Sequence, residues 1–182
     1  MAILTGMLSV AEFARLPQPE GGVRQELHHG ELVELPPVKK IHTKLQQRLV
    51  RFLEPFVRPL ELEADKEFPF RPEPEFQVWV ADVAVYRSSE WNQTADDDWF
   101  HDVPEIVIEV LSPSNTASEM LDRETVCLRN GGKEFWLIDP DRQSVKVVRA
   151  DGFSQVYGMD GAIESAVLNG RIEVRDIFNC GL

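Results

Sequence analysis

Cysteine is scarce in this chain: Cys127 and Cys180 are its only two, and neither belongs to a CxxC pair or a Cys/His cluster. That excludes a structural zinc site built on such ligands, and it suits a protein kept in a reducing compartment. Long hydrophobic runs are missing too. With no apolar leader and no stretch of roughly 18 apolar residues, the expectation is a cytoplasmic protein without a membrane span. Basic residues are outnumbered, 19 Lys and Arg against 31 Asp and Glu, for a formal net charge of −12. A surface that is basic all over and holds nucleic acid non-specifically is thereby excluded; any phosphate-binding face must be local and helped by metal ions. Internal repeats and low-complexity tracts are absent as well. What is there, 43% hydrophobic and 27% charged residues over 182 positions, suits one soluble domain spanning 1–182 with enough chain to bury a core.

Ser9 and Glu12 form a capping-box pattern that opens a short helix, which Pro17 and Pro19 end. Residues 24–28 and 31–35 read as two strands joined at His29-Gly30, with Pro36-Pro37 closing the hairpin. From Lys40 to Phe56 the spacing of Ile41, Leu45, Leu49, Phe52 and Phe56 predicts an amphipathic helix. Beside that stripe run Lys40, Lys44, Arg48 and Arg51, which serve either as a solvated basic face or as a track for phosphates. A strand over 61–71 follows, and the polar stretch 87–103, with Trp91 and Trp99, reads as a loop at the mouth of a site or a surface excursion. Thr116 and Glu119 cap a helix that stops at Gly131-Gly132. Residues 133–139 and 145–148 read as a second hairpin, and strand-like pieces near Val156 and Ile172 lead to an end near Ile177-Phe178. The order is mixed α/β, strands flanked by helices with hairpins at both ends.

Two apolar strands each carry one acid. Val78 to Tyr86 holds Asp82, and Pro104 to Pro113 holds Glu109 between Ile108 and Val110. A carboxylate in such surroundings loses hydration worth several kcal/mol or more unless it is protonated, paired or bound to a metal. If the two strands are neighbours, period-two geometry lets Asp82 and Glu109 converge. Such a pair can hold a hard divalent cation, act as a general acid and base with split pKa values, or consist of two acids that a structural Arg or water satisfies separately.

Several segments resemble the Uma-two family of restriction-endonuclease-like proteins, within the PD-(D/E)XK nuclease superfamily. They are Leu8 to Phe13, Glu26-Leu27, Gly30 to Val33, Pro36-Pro37, His42, Ala81-Asp82-Val83, Pro104 with Ile108 to Ser114, and Gly131 to Pro140. The resemblance covers nearly the whole chain. It implies a mixed β-sheet with both acids at the fork of adjacent strands and a metal-dependent phosphodiesterase site. Asp82 matches the superfamily aspartate, and Glu109 the acid of the D/E-x-K element. The lysine two residues on is absent, Leu111 standing there. The resemblance instead points to the following helix, where Arg123 occupies the place of the family lysine and Cys127 that of a tyrosine. A guanidinium stabilises phosphate charge but cannot hand over a proton, and Arg123 has an alternative as a surface partner of Glu119. Glu26 matches a family glutamate that adds to the acidic site or stays a hairpin surface acid, and His42 matches a family histidine of open role.

The reading is a restriction-endonuclease-like domain acting as a Mg²⁺-dependent DNA endonuclease. Asp82, Glu109 and the Val110 carbonyl hold Mg²⁺ or Mn²⁺, Arg123 stabilises transition-state charge, and the Lys40/Lys44/Arg48/Arg51 row holds the DNA backbone. DNA is the expected partner, with a homodimer by analogy to restriction enzymes. The alternatives are the same fold with an impaired site, working as a nucleic-acid or protein binding module, and a metal-independent acid/base hydrolase.

Overall fold

The computed structural model describes residues 7–179 apart from 18, 22, 36, 38 and 114; the sequence features at Pro36, Ser114 and Cys180 therefore lie outside the described residues. Helix α1 (Val10–Phe13) starts on the Ser9/Glu12 capping box, with both reciprocal hydrogen bonds made. Strands β1 (Arg24–His28) and β2 (Glu31–Leu35) pair antiparallel as a two-stranded sheet, Arg24 opposite Leu35 and His28 opposite Glu31. At the turn Gly30 has a φ of 81°, and a Cβ there would come 2.9 Å from Met7 Cβ, so glycine is required on two counts.

Helix α2 (Lys40–Val57) buries Leu45, Gln46, Leu49, Leu53 and Val57. The buried stripe is rotated from the one the sequence suggests: Ile41 is 78% exposed and Phe52 and Phe56 are partly buried, while Gln46 is fully buried. Leu45, Leu49, Leu53 and Val57 join the core, and the polar Gln46 interrupts the apolar pattern on that face. Strands β3 (Leu62–Phe70) and β4 (Trp79–Arg87) pair over nearly their full length, and β5 (Ile106–Val110) pairs antiparallel with β4. Helix α3 (Ser88–Trp91) occupies part of the polar 87–103 stretch. Trp91 packs there among Phe68, Tyr86 and Phe100, and Trp99 lies 5.6 Å from Phe13, so these tryptophans anchor a surface excursion to the core.

Helix α4 (Ala117–Arg129) carries the second complete capping box, Thr116 with Glu119, and crosses from β5 to the parallel strand β6 (Glu134–Asp139). A helical crossover is what parallel pairing demands. Strands β7 (Ser144–Arg149) and β8 (Ser154–Tyr157) complete a six-stranded sheet of order β3-β4-β5-β6-β7-β8. Strands β9 (Ala162–Ser165) and β10 (Gly170–Glu173) form a small hairpin sheet before α5 (Val174–Asn179). The strand-like pieces near Val156 and Ile172 are β8 and β10, and the helix after them buries Val174 and Ile177, three apart.

One core layer sets Leu45, Leu49 and Leu53 of α2 against Val83, Val85, Ile106, Ile108 and Trp136 of the sheet. A second layer sets Val126 and Cys127 of α4 against Ala84, Tyr86, Val107 and Phe135. The hairpin β1–β2 docks at the start of β4, where Leu27 and Val78 exchange backbone hydrogen bonds of 2.8 and 3.0 Å.

Candidate functional site

The β4–β5 ladder sets Val83 opposite Ile108 and Val85 opposite Ile106. One step further the same register would set Asp82 opposite Glu109, and there the pairing stops. The Val110 N–H instead donates to Asp82 Oδ2 at 2.8 Å, so the strands fork at the two acids. Asp82 is 6% exposed. Its Oδ1 accepts from Gln46 Nε2 at 2.8 Å, and His42 Nε2 lies 2.9 Å away with its N–H off the line between them. Helix α2 thus reaches into the site with His42 and Gln46, one turn apart.

On the other prong Glu109 is 7% exposed and accepts from Arg123 Nη1 at 2.8 Å. Arg123 Nη2 donates to Glu26, and the guanidinium carbon sits 5.1 Å from the centre of the Trp79 ring. Arg123 is therefore a buried clamp between two carboxylates. The outward pairing with Glu119 does not occur; Glu119 serves the α4 cap through the Thr116 N–H. Nor is Glu26 a surface acid of the hairpin, since it is fully buried. Its Oε1 accepts from the Val80 N–H at 3.1 Å, and its Oε2 lies 2.6 Å from His28 Nε2. The remaining acid was not foreseen. Glu67 stands on β3 opposite Asp82 at a gap in the β3–β4 ladder, with a φ of 53°. Its carboxylate accepts from Gln46 Nε2 at 2.6 Å and from Arg24 Nη1 at 2.6 Å.

Charge is unevenly shared in this cluster. Burial raises the Asp82 carboxyl, but His42, the Val110 N–H and Gln46 outweigh it and hold the group below the usual range. Glu26 behaves alike: burial opposes ionisation, and Arg123, His28 and the Val80 N–H prevail. For Glu109, burial wins. Arg123 helps, but Asp82 and Glu26 repel, and the carboxyl is pushed up to about 8. Arg123 itself, despite burial, is held charged by Glu109 and Glu26. Three buried acids face one permanent cation.

A pH dependence follows for the metal-free protein. Below the ordinary carboxylate value of 4.5, folded and unfolded chains both keep the Glu109 proton; between there and about 8 only the folded chain does. Stability is therefore lost as pH rises through that window. Urea denaturation in the presence of a chelator should give a free energy that falls from pH 5 to pH 8 for wild type and falls less for Glu109→Gln. Equal slopes would show that Glu109 ionises normally.

No group of three or more His, Cys, Asp and Glu side chains is arranged to hold a metal ion among the described residues. The donors suit instead the open coordination of Mg²⁺, in which one or two carboxylates are joined by waters and substrate phosphate. Asp82 and Glu109 meet that count, and the excess of buried negative charge favours a cation there. The basic row lies on the outer side of α2, with Lys40, Lys44 and Arg51 exposed and Arg48 half-buried.

Helices cover both faces of a mixed sheet whose acids stand on the prongs of a strand fork, and the architecture closely matches a nuclease fold. The crystal structure of a putative nuclease belonging to DUF820 from Anabaena variabilis ATCC 29413 is similar, with a TM-score of 0.78 and 23% identity, over 94% of this chain and 97% of that one. Residues 10–171 match the model of the Uma2 (Uma-two) family, described as "Putative restriction endonuclease", and the chain belongs to that family. No curated protein matches it.

Proposed function

We propose that this protein is a Mg²⁺- or Mn²⁺-dependent DNA endonuclease. The observation that carries the reading is the fork of β4 and β5, where buried Asp82, Glu109 and Glu26 converge around a single fixed cation. Asp82 and Glu109, with the Val110 carbonyl, would hold the ion. When bound, the ion supplies a water of lowered pKa and neutralises charge on the attacked phosphate.

The chain's own groups supply the rest. Gln46 and the Val110 N–H fix the direction of Asp82. Arg123 was expected to meet transition-state charge directly, but both its arms are committed, to Glu109 and Glu26. Its part is to position these acids and keep Glu26 ionised. Helix α2 carries the DNA contacts on its outer side and the site contacts on its inner side, so phosphates bound at Lys40, Lys44, Arg48 and Arg51 lie on the helix that supports Asp82.

Agarose assays of supercoiled plasmid with Mg²⁺, with Mn²⁺ and with chelator test the reading; nicking that requires the metal is the expected result. One observation favours a binding module without turnover, namely that Arg123 already occupies Glu109. Retained DNA binding with no nicking under either metal would select that alternative. For the basic row, Lys44→Gln with Arg48→Gln should flatten the log–log salt dependence of DNA binding by about one to two units. An unchanged slope would return the row to a solvated face.

A further inference from the structure

Gln46 is fully buried, and its amide lies between two carboxylates. Its Nε2 lies 2.8 Å from Asp82 Oδ1 and 2.6 Å from Glu67 Oε1. Carboxylates only accept, so the nitrogen must face them. The cost falls on the other end of the amide: Gln46 Oε1 is buried with no hydrogen-bond partner. A buried carbonyl left in that condition keeps its full desolvation penalty. A half-turn of the amide would bring Oε1 toward the two acids. Three oxygens would then face one another, an arrangement that repels unless a cation sits among them.

The backbone at Glu67 points the same way. A non-glycine residue with a φ of 53° inside a strand is strained, and the strain falls where Glu67 would pair with Asp82. Glu67 keeps one oxygen on Arg24 and turns the other toward Asp82's amide partner. On the far side of Asp82, Glu109 is already engaged by Arg123. The side of Asp82 away from that clamp offers the second acid.

The geometry points to a divalent-cation subsite formed by Asp82 Oδ1, Glu67 Oε1 and the turned amide oxygen of Gln46. Carboxylate and amide oxygens are the hard donors that Mg²⁺, Mn²⁺ and Ca²⁺ take. The amide changes from donor to ligand as the ion enters, and the orphaned oxygen gains its partner only in the loaded state. This subsite rests on the nuclease reading in that Asp82 is shared with the proposed metal position; it adds Glu67, which that reading does not use, and makes a ligand of Gln46, which that reading uses only to orient Asp82.

The test is Mn²⁺ alone, titrated at fixed pH and followed by electron paramagnetic resonance and by thermal melting, without DNA. Glu67→Gln and Gln46→Met should each weaken Mn²⁺ binding by about tenfold or more. Gln46→Glu separates ligation from packing. A third carboxylate beside Asp82 and Glu67 should lower the melting temperature of the metal-free protein yet tighten Mn²⁺ binding by about tenfold, because ligand charge sets affinity. A merely structural Gln46 would give the loss of stability without the gain in affinity, and that result overturns the subsite. So does Mn²⁺ binding that depends on Asp82 and Glu109 but not on Glu67 or Gln46, an outcome that leaves the nuclease reading standing. Wild-type protein that binds no Mn²⁺ at all removes both.

Discussion

Arg123→Ala is expected to destabilise the folded chain by about 3–5 kcal/mol, as removal of one partner from a buried ion pair does. The reason lies in what is left behind. Glu26 and Glu109 are both buried, Arg123 is the only permanent cation bonded to either among the described residues, and its guanidinium also lies near Trp79. Truncation leaves the ionised Glu26 without its counter-charge, Glu109 without its donor, and a void beside the ring. Arg123→Lys should behave differently. An ammonium keeps the charge but is a point donor and cannot span two carboxylates as a guanidinium does. It should lose about 1–3 kcal/mol and release one acid from the clamp, restoring the residue that the family pattern implies; cleavage is then expected to persist or rise. Urea denaturation and plasmid nicking on the same preparations decide the matter. An Ala variant within about 1 kcal/mol of wild type would mean that the clamp contributes little. Cleavage appearing only in the Lys variant would identify a chain whose fold is that of a nuclease and whose site has stopped turning over.

Asp82→Asn should abolish the Mn²⁺-dependent rise in melting temperature and lower any cleavage by at least roughly two to three orders of magnitude. It should also weaken the metal-free protein by about 1–3 kcal/mol. Asp82 accepts from the Val110 N–H on one oxygen and from Gln46 on the other. An asparagine must turn its NH₂ toward one of them, setting donor against donor. Sequence alone suggests the opposite, because two acids facing each other on apolar strands ought to relax when one is neutralised. Melting curves with chelator separate the two accounts. A variant as stable as wild type would favour repulsion over hydrogen bonding, and an equal Mn²⁺ shift in both proteins would move the cation away from Asp82.

The contrast shows what a sequence carries and what it hides. Asp82 and Glu109 were legible because a lone charge in an apolar run is costly, and their juxtaposition followed from strand period once β4 and β5 proved to be neighbours. The capping boxes and the first hairpin were legible for local reasons, each set by residues three or four apart. Glu67 was not. Within β3 it falls at an alternation position that faces water in a regular strand, and its positive φ is a property of the folded backbone. His28 is different, since it lies two residues from Glu26 on the same face of β1 and their contact follows from strand period alone. Gln46 left a faint trace, a polar residue three before Leu49 and seven before Leu53 on a buried face. That the same glutamine touches two acids is a tertiary fact.

The hairpin that carries Glu26 is joined to β4 through Leu27 and Val78 and belongs to no larger sheet. A two-stranded unit of this kind is a candidate for local opening well below the free energy of global unfolding. Here the opening has a chemical meaning, because lifting the hairpin withdraws Glu26 from Arg123 and leaves Glu109 alone against the guanidinium. The integrity of the acid cluster thus depends on how firmly this hairpin is held to the rest of the fold. The amide protons of Leu27 and Val78 should exchange at the rate at which the site comes apart, even while the six-stranded sheet stays closed.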